Sequence, residues 1–243
     1  MNIFNKPWKI SGIAGILFVV ISFIASGINI LPPAYIQDKT EILNWFVTNS
    51  QWYRFGHFLA GLAFLLFYFP FYAGFCERLK NAEGYPAIWT KITWAGAIMS
   101  PAVGCIAGSF IVGAAFLDKD ISSEVARFAL SANFYAYTLS GAFAGIAMMA
   151  TSLIILKTNI FRYWLGWSGL LVGFAAIIST ATIVENNPLG VFATINGLTW
   201  LFYFLWIIVI SIELILISER KTKFNKHSST NSCSWVKLNN SIP

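Results

Sequence analysis

The residues best suited to chemistry are five polar side chains near one end of the apolar segments of this chain. Arg54 and His57 lie three positions apart, a spacing that places both on one face of a helix. Asn133, Glu185 and Asn196 fall at a similar depth if successive segments alternate in direction. These groups can bind a polar ligand through charge and hydrogen bonds. The pattern predicts a ligand-binding site with His57 at its centre and Glu185 as its candidate partner.

A structural interpretation explains the same residues without a ligand. In this interpretation Arg54 and Glu185 lie among lipid headgroups, and His57 hydrogen bonds to a loop carbonyl. Ionisable groups at membrane depth are costly and usually face a bundle interior or a water-filled cavity. His57 is therefore the residue that best separates the two interpretations.

Six apolar segments must position these side chains. Of the 243 residues, 57% are hydrophobic and 11% are charged, whereas a soluble domain has roughly 25% charged residues. A transmembrane helix needs about 20 consecutive apolar residues. The sequence therefore predicts an all-α, polytopic membrane helix bundle within residues 1–217. The predicted helices cover about residues 10–31, 53–75, 92–117, 132–156, 164–184 and 190–212.

The distribution of charge predicts an orientation. If the amino terminus is cytoplasmic, twelve of the sixteen Lys and Arg residues lie in cytoplasmic segments, and six of the ten acidic residues lie outside. Cytoplasmic segments carry an excess of Lys and Arg, and six crossings return the chain to its starting side. We therefore predict a multi-pass protein of the cell membrane with both termini cytoplasmic. The net charge of +6 follows from this asymmetry and does not indicate nucleic-acid binding.

Two outer connections predict short amphipathic helices. Asp38 and Glu41 form a capping-box pattern before the apolar side chains of residues 42–47. Asp120 can cap a second helix, in which residues 121–128 repeat apolar side chains at helical spacing. We expect both helices on the outer surface of the bundle.

Membrane lipid and a second copy of the chain are the predicted partners. Residues 218–243 form a basic tail that should attract anionic lipid, and its polar composition predicts disorder after about His227. Glycines four residues apart allow close helix approach, which favours packing within one chain first and a homodimer as the alternative. These glycine pairs are Gly104 with Gly108, Gly141 with Gly145, and Gly169 with Gly173.

Motifs for several kinds of chemistry are missing from the sequence. The two histidines, His57 and His227, cannot supply a bis-histidine haem within the membrane from one chain. His-Glu-x-x-His and phosphate-binding Gly-Lys-Ser/Thr motifs do not occur. The spacing of Cys76, Cys105 and Cys233 indicates neither a disulfide nor a metal site. The sequence therefore predicts no catalytic residue, no metal and no cofactor, and it does not favour an enzyme.

The segment Arg162–Gly169 reads Arg-Tyr-Trp-Leu-Gly-Trp-Ser-Gly. It resembles a segment of uncharacterised bacterial polytopic membrane proteins, including the domain-of-unknown-function 4386 group. The likeness extends to an acidic loop before the second helix, to Arg54 at the start of that helix and to its end at Phe75–Leu79, and it covers roughly residues 10–216. The resemblance implies a six-helix fold in a bacterial inner membrane and brings no established activity or site residues.

Three functions from different classes remain open at this point. The first is a small binding or transport-like bundle with an outward-facing polar cavity around His57. The second is a structural or regulatory membrane protein without a ligand site, and the third is a membrane enzyme that acts on lipid. A deep cavity reaching His57 would favour the first, a dry bundle the second, and a lateral opening beside polar residues the third.

Overall fold

Six long helices account for nearly all of the described chain. The structure is a computed structural model that describes the backbone of residues 7–29, 31–117 and 120–239, with side chains as far as Glu219. Each helix is long and apolar enough to cross a membrane, and these described ranges contain no strand. The predicted all-α membrane bundle is confirmed. The helices are α1 Pro7–Ile28, α2 Lys39–Glu83, α3 Ile88–Ala115, α4 Ser123–Thr158, α5 Tyr163–Glu185 and α6 Val191–Asn239.

Helix α6 is longer than the sequence predicts. Its apolar, membrane-crossing part ends at Glu219, but the helical backbone continues to Asn239, past the predicted start of disorder near His227. Neither glycine nor proline occurs between Gly197 and Pro243, so no strong helix breaker interrupts this stretch. The side chains of the tail, and all of residues 240–243, lie outside the described residues.

The helices form a closed ring. Each helix packs against the next along the chain, and α6 packs against α1. Lys9 Nζ lies 3.0 Å from Glu219 Oε1, so the start of α1 and the end of the membrane-crossing part of α6 lie at the same face of the bundle. We call this the terminal face. The opposite, loop face carries the connections after α1, α3 and α5. The charge pattern predicts that the terminal face is cytoplasmic.

The half of the bundle near the terminal face has a filled aromatic and aliphatic core. Phe71, Phe75, Leu165 and Ile207 are completely buried in it. Helix α2 contains one π-helical segment, Phe64–Tyr68, at the point where its side chains begin to enter this core. The core closes the ring towards the terminal face.

Three hydroxyl groups form what we call the tyrosine cluster inside this core. The hydroxyl oxygens of Tyr72 and Tyr203 lie 2.9 Å apart, and those of Tyr68 and Tyr203 lie 3.3 Å apart. Tyr68 also donates a hydrogen bond to the Ala97 carbonyl at 3.0 Å, which ties α2 to α3. All three side chains are buried, and each hydroxyl has a partner, as buried polar groups in native proteins normally do.

A smaller apolar cluster joins α2, α3 and α4 at the loop face. It contains Ile42, Phe46, Ile111 and Leu130. The two predicted amphipathic segments are helical, but they are the first turns of α2 and α4 rather than separate helices. Neither segment is followed by glycine or proline before the membrane crossing begins, so each helix continues without a break.

The start of α2 follows the sequence prediction, and the start of α4 does not. Asp38 caps α2 and accepts a hydrogen bond from the Thr40 amide at 2.7 Å. The backbone amide of Thr40 lowers the pKa of the Asp38 carboxyl, because it stabilises the ionised form. Asp120 does not cap α4. Ser122 does so, and its hydroxyl accepts a hydrogen bond from the Val125 amide at 3.3 Å.

Close helix contacts within the chain explain the glycine spacing. A Cβ atom added at Gly145 would lie 2.6 Å from the Gly173 carbonyl oxygen, and one added at Gly173 would lie 2.7 Å from the Gly145 oxygen. Helices α4 and α5 can therefore approach this closely only with glycine at both positions. The predicted homodimer stays a prediction.

Candidate functional site

A cavity of about 540 Å³ lies in the half of the bundle near the loop face. Small-molecule sites typically have volumes of about 300–1,000 Å³. We call it the His57 cavity, and its walls come from five of the six helices. The lining comprises Ser22 and Ser26 of α1, with Asn29 just after its end; Arg54, His57, Phe58, Ala60, Gly61 and Phe64 of α2; Pro101, Gly104, Cys105, Gly108, Ser109 and Val112 of α3, with Phe116 just after its end; Tyr137 and Ser140 of α4; and Trp200 and Phe204 of α6.

Arg54 and His57 both line this cavity, as their spacing predicts. The His57 ring lies against α3, where a Cβ atom added at Gly108 would be 2.5 Å from His57 Nε2. On its other side the ring centre lies 4.4 Å from that of Tyr53. His57 Nδ1 is buried and makes no hydrogen bond of good geometry with any described residue, although the Tyr53 carbonyl, one turn earlier on α2, interacts with the imidazole.

The Arg54 guanidinium lies at the end of the cavity nearest the loop face. Its central carbon is 4.8 Å from the centre of the Phe116 ring, close enough for a cation–π interaction. Within the described part of the chain, no carboxylate lies at ion-pair distance from Arg54. The cavity therefore contains a positive charge that an aromatic face balances only in part.

Helix α1 and the residue that follows it supply two polar atoms without a hydrogen-bond partner in the described chain. Ser22 Oγ and Asn29 Oδ1 are both buried, and neither has a hydrogen-bond partner among the residues described. The Asn29 carboxamide occupies the space beside Gly56 where a side chain of residue 56 would otherwise lie. Glycine at this position is what allows Asn29 to reach the wall formed by α2.

The floor of the cavity is aromatic. The rings of Tyr137 and Trp200 stack with their centres 5.1 Å apart, and Trp200 Nε1 is a further buried donor without a partner in the described chain. Phe64 and Phe204 complete the floor. Beneath them lies the tyrosine cluster, because Trp200 and Phe204 both contact the Tyr203 ring.

The two predicted asparagines lie outside the cavity lining and join helices instead. Asn133 Nδ2 donates a hydrogen bond to the Ala107 carbonyl at 2.9 Å, which links α4 to α3. Asn196 is buried, and its Nδ2 donates to Ser179 Oγ at 2.9 Å, which links α6 to α5. Both amides therefore stabilise helix contacts beside the cavity.

The structure does not bring Glu185 to His57. Glu185 is exposed in the last turn of α5, and its carboxylate lies against Gly190, so no ion pair with His57 forms among the described residues. Asn186 then ends the helix with a φ of 50°. The predicted pairing of His57 with Glu185 is therefore absent, because Glu185 belongs to the connection and not to the bundle interior.

The connection between α1 and α2 crosses the loop face and is tied down on the far side. The Tyr35 hydroxyl lies 3.0 Å from that of Tyr135 on α4, and it donates to Asn186 Oδ1 at 3.2 Å. Arg127 Nε donates to the Tyr35 carbonyl at 3.0 Å. Burial and the hydrogen bond with Tyr135 raise the pKa of Tyr35 to about 12, so this hydroxyl stays neutral at physiological pH. We call residues 31–37 the strap.

Sequence reasoning missed several residues of the cavity. Trp200 is recognisable from sequence only as one of several aromatic residues in the last helix, where packing is the more probable role. Ser22 and Tyr137 carry no local signal, since an isolated serine or tyrosine in an apolar helix can face lipid, a neighbouring helix or a cavity.

Comparison with known proteins adds no functional information. No protein-family model, no curated protein and no solved structure matches this chain. The function must therefore be argued from the cavity, and the resemblance to the 4386 group stays a prediction.

Proposed function

We propose that this membrane protein is a small binding or transport-like bundle whose His57 cavity receives a small molecule. The observation that carries this proposal is the concentration of unpaired polar atoms. Nine buried side-chain nitrogen and oxygen atoms lack a hydrogen-bond partner in the described chain, and four of them belong to residues that line this one cavity. They are Ser22 Oγ, Asn29 Oδ1, His57 Nδ1 and Trp200 Nε1.

Unpaired buried polar atoms are costly in a structural protein. Each costs about 1–3 kcal/mol if nothing satisfies it, and native proteins leave few of them. A ligand or ordered water that supplies the missing hydrogen bonds would offset this cost. A mainly apolar pocket with a few convergent polar groups is also the usual form of a small-molecule site.

The orientation of the cavity follows from the charge pattern. If the terminal face is cytoplasmic, as the excess of Lys and Arg predicts, the cavity lies in the outer half of the membrane. A ligand would then be taken up from the outer side or from the outer leaflet. Transport would additionally require the aromatic core beneath Trp200 to open, whereas binding alone would not.

The two other functions are supported less well. A structural or regulatory protein gives no reason for four residues with unpaired polar atoms to line one cavity. A cavity that opens sideways to lipid would also suit an enzyme acting on lipid, but nucleophilic or acid–base chemistry there would need His57 to be hydrogen-bonded to a nucleophile or to an orienting carboxylate. Among the described residues His57 has neither partner.

A cavity-filling substitution tests the proposal. A Cβ atom at Gly61 meets no atom within 4 Å, so Gly61→Leu should fill the His57 cavity without a clash. Gly197→Leu is the matched control, because Gly197 is also an open helical glycine but lies outside the cavity. Purified wild-type protein in nanodiscs is screened by thermal shift against a chemically diverse compound library.

We expect compounds that raise the melting temperature of the wild type and of Gly197→Leu, but not that of Gly61→Leu. At a concentration of 100 Kd, a ligand should stabilise the folded protein by about 2.7 kcal/mol. If every stabilising compound acts equally on Gly61→Leu, or if none is found, the cavity is not a ligand site and the structural role is favoured.

A further inference from the structure

We infer that the ligand of the His57 cavity is a single-chain amphiphile with an anionic headgroup, and that it reaches the cavity from the lipid between α2 and α3. This inference rests on the proposed function and adds the ligand class and the route. The argument has three parts, which concern the charged end of the cavity, its apolar walls and its opening.

The charged end of the cavity selects for an anion. Arg54 brings a guanidinium to the lining, and no carboxylate among the described residues pairs with it. The guanidinium is partly exposed, and the Phe116 ring is the one partner described for it, so an anionic headgroup would complete its charge balance. Guanidinium binds both carboxylate and phosphate groups through paired hydrogen bonds. His57, one turn away on the same face, and Asn29 can add further hydrogen bonds to such a headgroup.

The remaining walls suit a hydrocarbon chain. Phe58, Phe64 and Phe204 present aromatic surface, while Ala60 and Gly61 leave open space along α2. The volume of about 540 Å³ suits one alkyl chain with a small headgroup, whereas a two-chain phospholipid is considerably larger. A wholly polar ligand would leave this apolar surface without complementary contacts.

The terminal face is closed to the cavity, whereas the strap lies at the loop face without lining the cavity, so exposed lining residues on α2 and α3 indicate the route. The strap crosses the loop face and is held by Tyr35, which contacts Tyr135 and Asn186. Towards the terminal face, the aromatic core and the tyrosine cluster fill the ring. Access through the side of the bundle is the route that the exposed lining residues support.

Helices α2 and α3 are separated by a window at the level of the cavity. They touch near the loop face, where His57 lies against Gly108, and again nearer the terminal face, where Tyr68 bonds to Ala97. Between these contacts the window has a glycine on its α2 side, Gly61, whose added Cβ atom would meet nothing within 4 Å.

Exposed side chains that also line the cavity lie beside this window. Phe58 of α2 is 62% exposed. Cys105 and Ser109 of α3 are exposed as well. Since this surface of the bundle faces hydrocarbon in a membrane, the window opens towards lipid chains. An amphiphile in the bilayer can pass its chain through the window while its headgroup moves to Arg54.

Three probes with the same ten-carbon chain test the ligand class. Decanoate carries a carboxylate, decyl phosphate carries a phosphate, and decanol is neutral. Binding is measured from the tryptophan fluorescence of the protein in nanodiscs, since Trp200 lies in the cavity. Wild type, Arg54→Gln, Arg54→Lys, Gly61→Leu and Gly197→Leu are compared after the melting temperature of each ligand-free variant has been measured.

We expect both anions to bind the wild type at least about tenfold more tightly than decanol, because a charged hydrogen bond adds roughly that factor or more. Arg54→Gln should remove this preference, and Arg54→Lys should keep part of it. Gly61→Leu should weaken all three probes, and Gly197→Leu none. The tighter of the two anions identifies the headgroup as carboxylate or phosphate, and equal affinities identify an anionic site that accepts both.

The outcomes separate this inference from the proposed function. If decanol binds as tightly as the anions, or if Arg54→Gln leaves the preference unchanged, the anionic class is wrong. The proposed function survives either result as long as Gly61→Leu still abolishes binding of the probes. If Gly61→Leu binds every probe as well as Gly197→Leu does, the cavity is not the site, and both proposals fail.

Chemical labelling of Cys105 tests the route. In a Cys233→Ser background the other cysteine is Cys76, which is buried, so Cys105 is the accessible thiol. A small maleimide should label Cys105 from the water-filled side of the cavity, because the reactive thiolate forms only where water reaches the sulfur, and saturating decanoate or decyl phosphate should slow that labelling several-fold. Labelling at an unchanged rate with bound probe would show that the ligand does not pass through the window.

Discussion

The two halves of the bundle handle buried polar groups in opposite ways. Towards the terminal face, Tyr68, Tyr72 and Tyr203 satisfy one another within a filled aromatic core. Towards the loop face, His57 and Trp200 reach a cavity where their polar atoms have no partner among the described residues. The same six helices build both halves, so the difference separates a packed half that carries stability from the half that contains the proposed site.

The contrast is one of arrangement and not of composition. Ser152 and Ser211 in the terminal half also have unpaired oxygen atoms, and each lies at a close contact between helices, beside Gly169 and Gly15 respectively, as Asn29 lies beside Gly56 in the loop half. In the loop half, four of the residues with unpaired atoms, from different parts of the chain, line one open volume. Convergence on a common space is therefore what distinguishes a candidate site from isolated packing defects.

The largest expected effect comes from removing an aromatic ring from the terminal half. Phe75 is completely buried, and Phe75→Ala should destabilise the protein by about 3–5 kcal/mol because it leaves a cavity in a packed core. Phe58→Ala in the loop half should cost about 0.5 kcal/mol or less, since Phe58 is 62% exposed. Thermal unfolding of both variants in the same detergent measures the difference. Equal losses would show that the two halves do not differ in stability.

A smaller effect is expected from removing single polar groups. Tyr203→Phe should cost about 1–2 kcal/mol, because it leaves the buried Tyr72 hydroxyl without its partner. Trp200→Phe removes an indole nitrogen that has no partner in the described chain, so it should be close to neutral for stability while weakening ligand binding. Melting temperatures and probe affinities measured on both variants check this. If Trp200→Phe were destabilised as much as Tyr203→Phe, the indole N–H of Trp200 would have a hydrogen-bond partner in the folded protein.

Binding should depend on His57 and not on Glu185. His57→Ala should reduce the affinity of a cavity ligand by about threefold to tenfold, the worth of one modest hydrogen bond, without lowering expression. Glu185→Gln should leave affinity unchanged, since its carboxylate lies against Gly190 outside the cavity. Titration of the same ligand into both variants makes the comparison. If a ligand bound His57→Ala as tightly as it binds the wild type, the imidazole would not be part of the binding site.

The smallest effect concerns the helix cap at the loop face. The Asp38 carboxyl has a pKa lowered by the Thr40 amide, so its stabilising contribution is present above the pKa of the unfolded chain, near 3.9. That contribution is lost as the pH falls through the lower, folded-state pKa. Asp38→Ala should therefore melt below the wild type at pH 7, and the gap should narrow by about pH 3. A gap independent of pH would show that the ionised carboxylate does not stabilise α2.

Part of the candidate site could be predicted from sequence because it depends on local geometry alone. A spacing of three residues puts Arg54 and His57 on one helix face in any helical fold, and both line the cavity. Asn133, Glu185 and Asn196 were grouped by depth along their helices. Depth does not specify the direction in which a side chain points around the helix axis, and none of the three lines the cavity.

The sequence by itself determined the six membrane helices, since lipid cannot satisfy backbone hydrogen bonds and long apolar segments must therefore be helical. Only the tertiary structure decided which faces meet. Lipid provides no hydrophobic drive between helices, so their rotation follows close contacts at small residues, such as Gly145 with Gly173 and His57 with Gly108. Those contacts turned Ser22 and Trp200 towards the cavity, and they could not be predicted from any single helix.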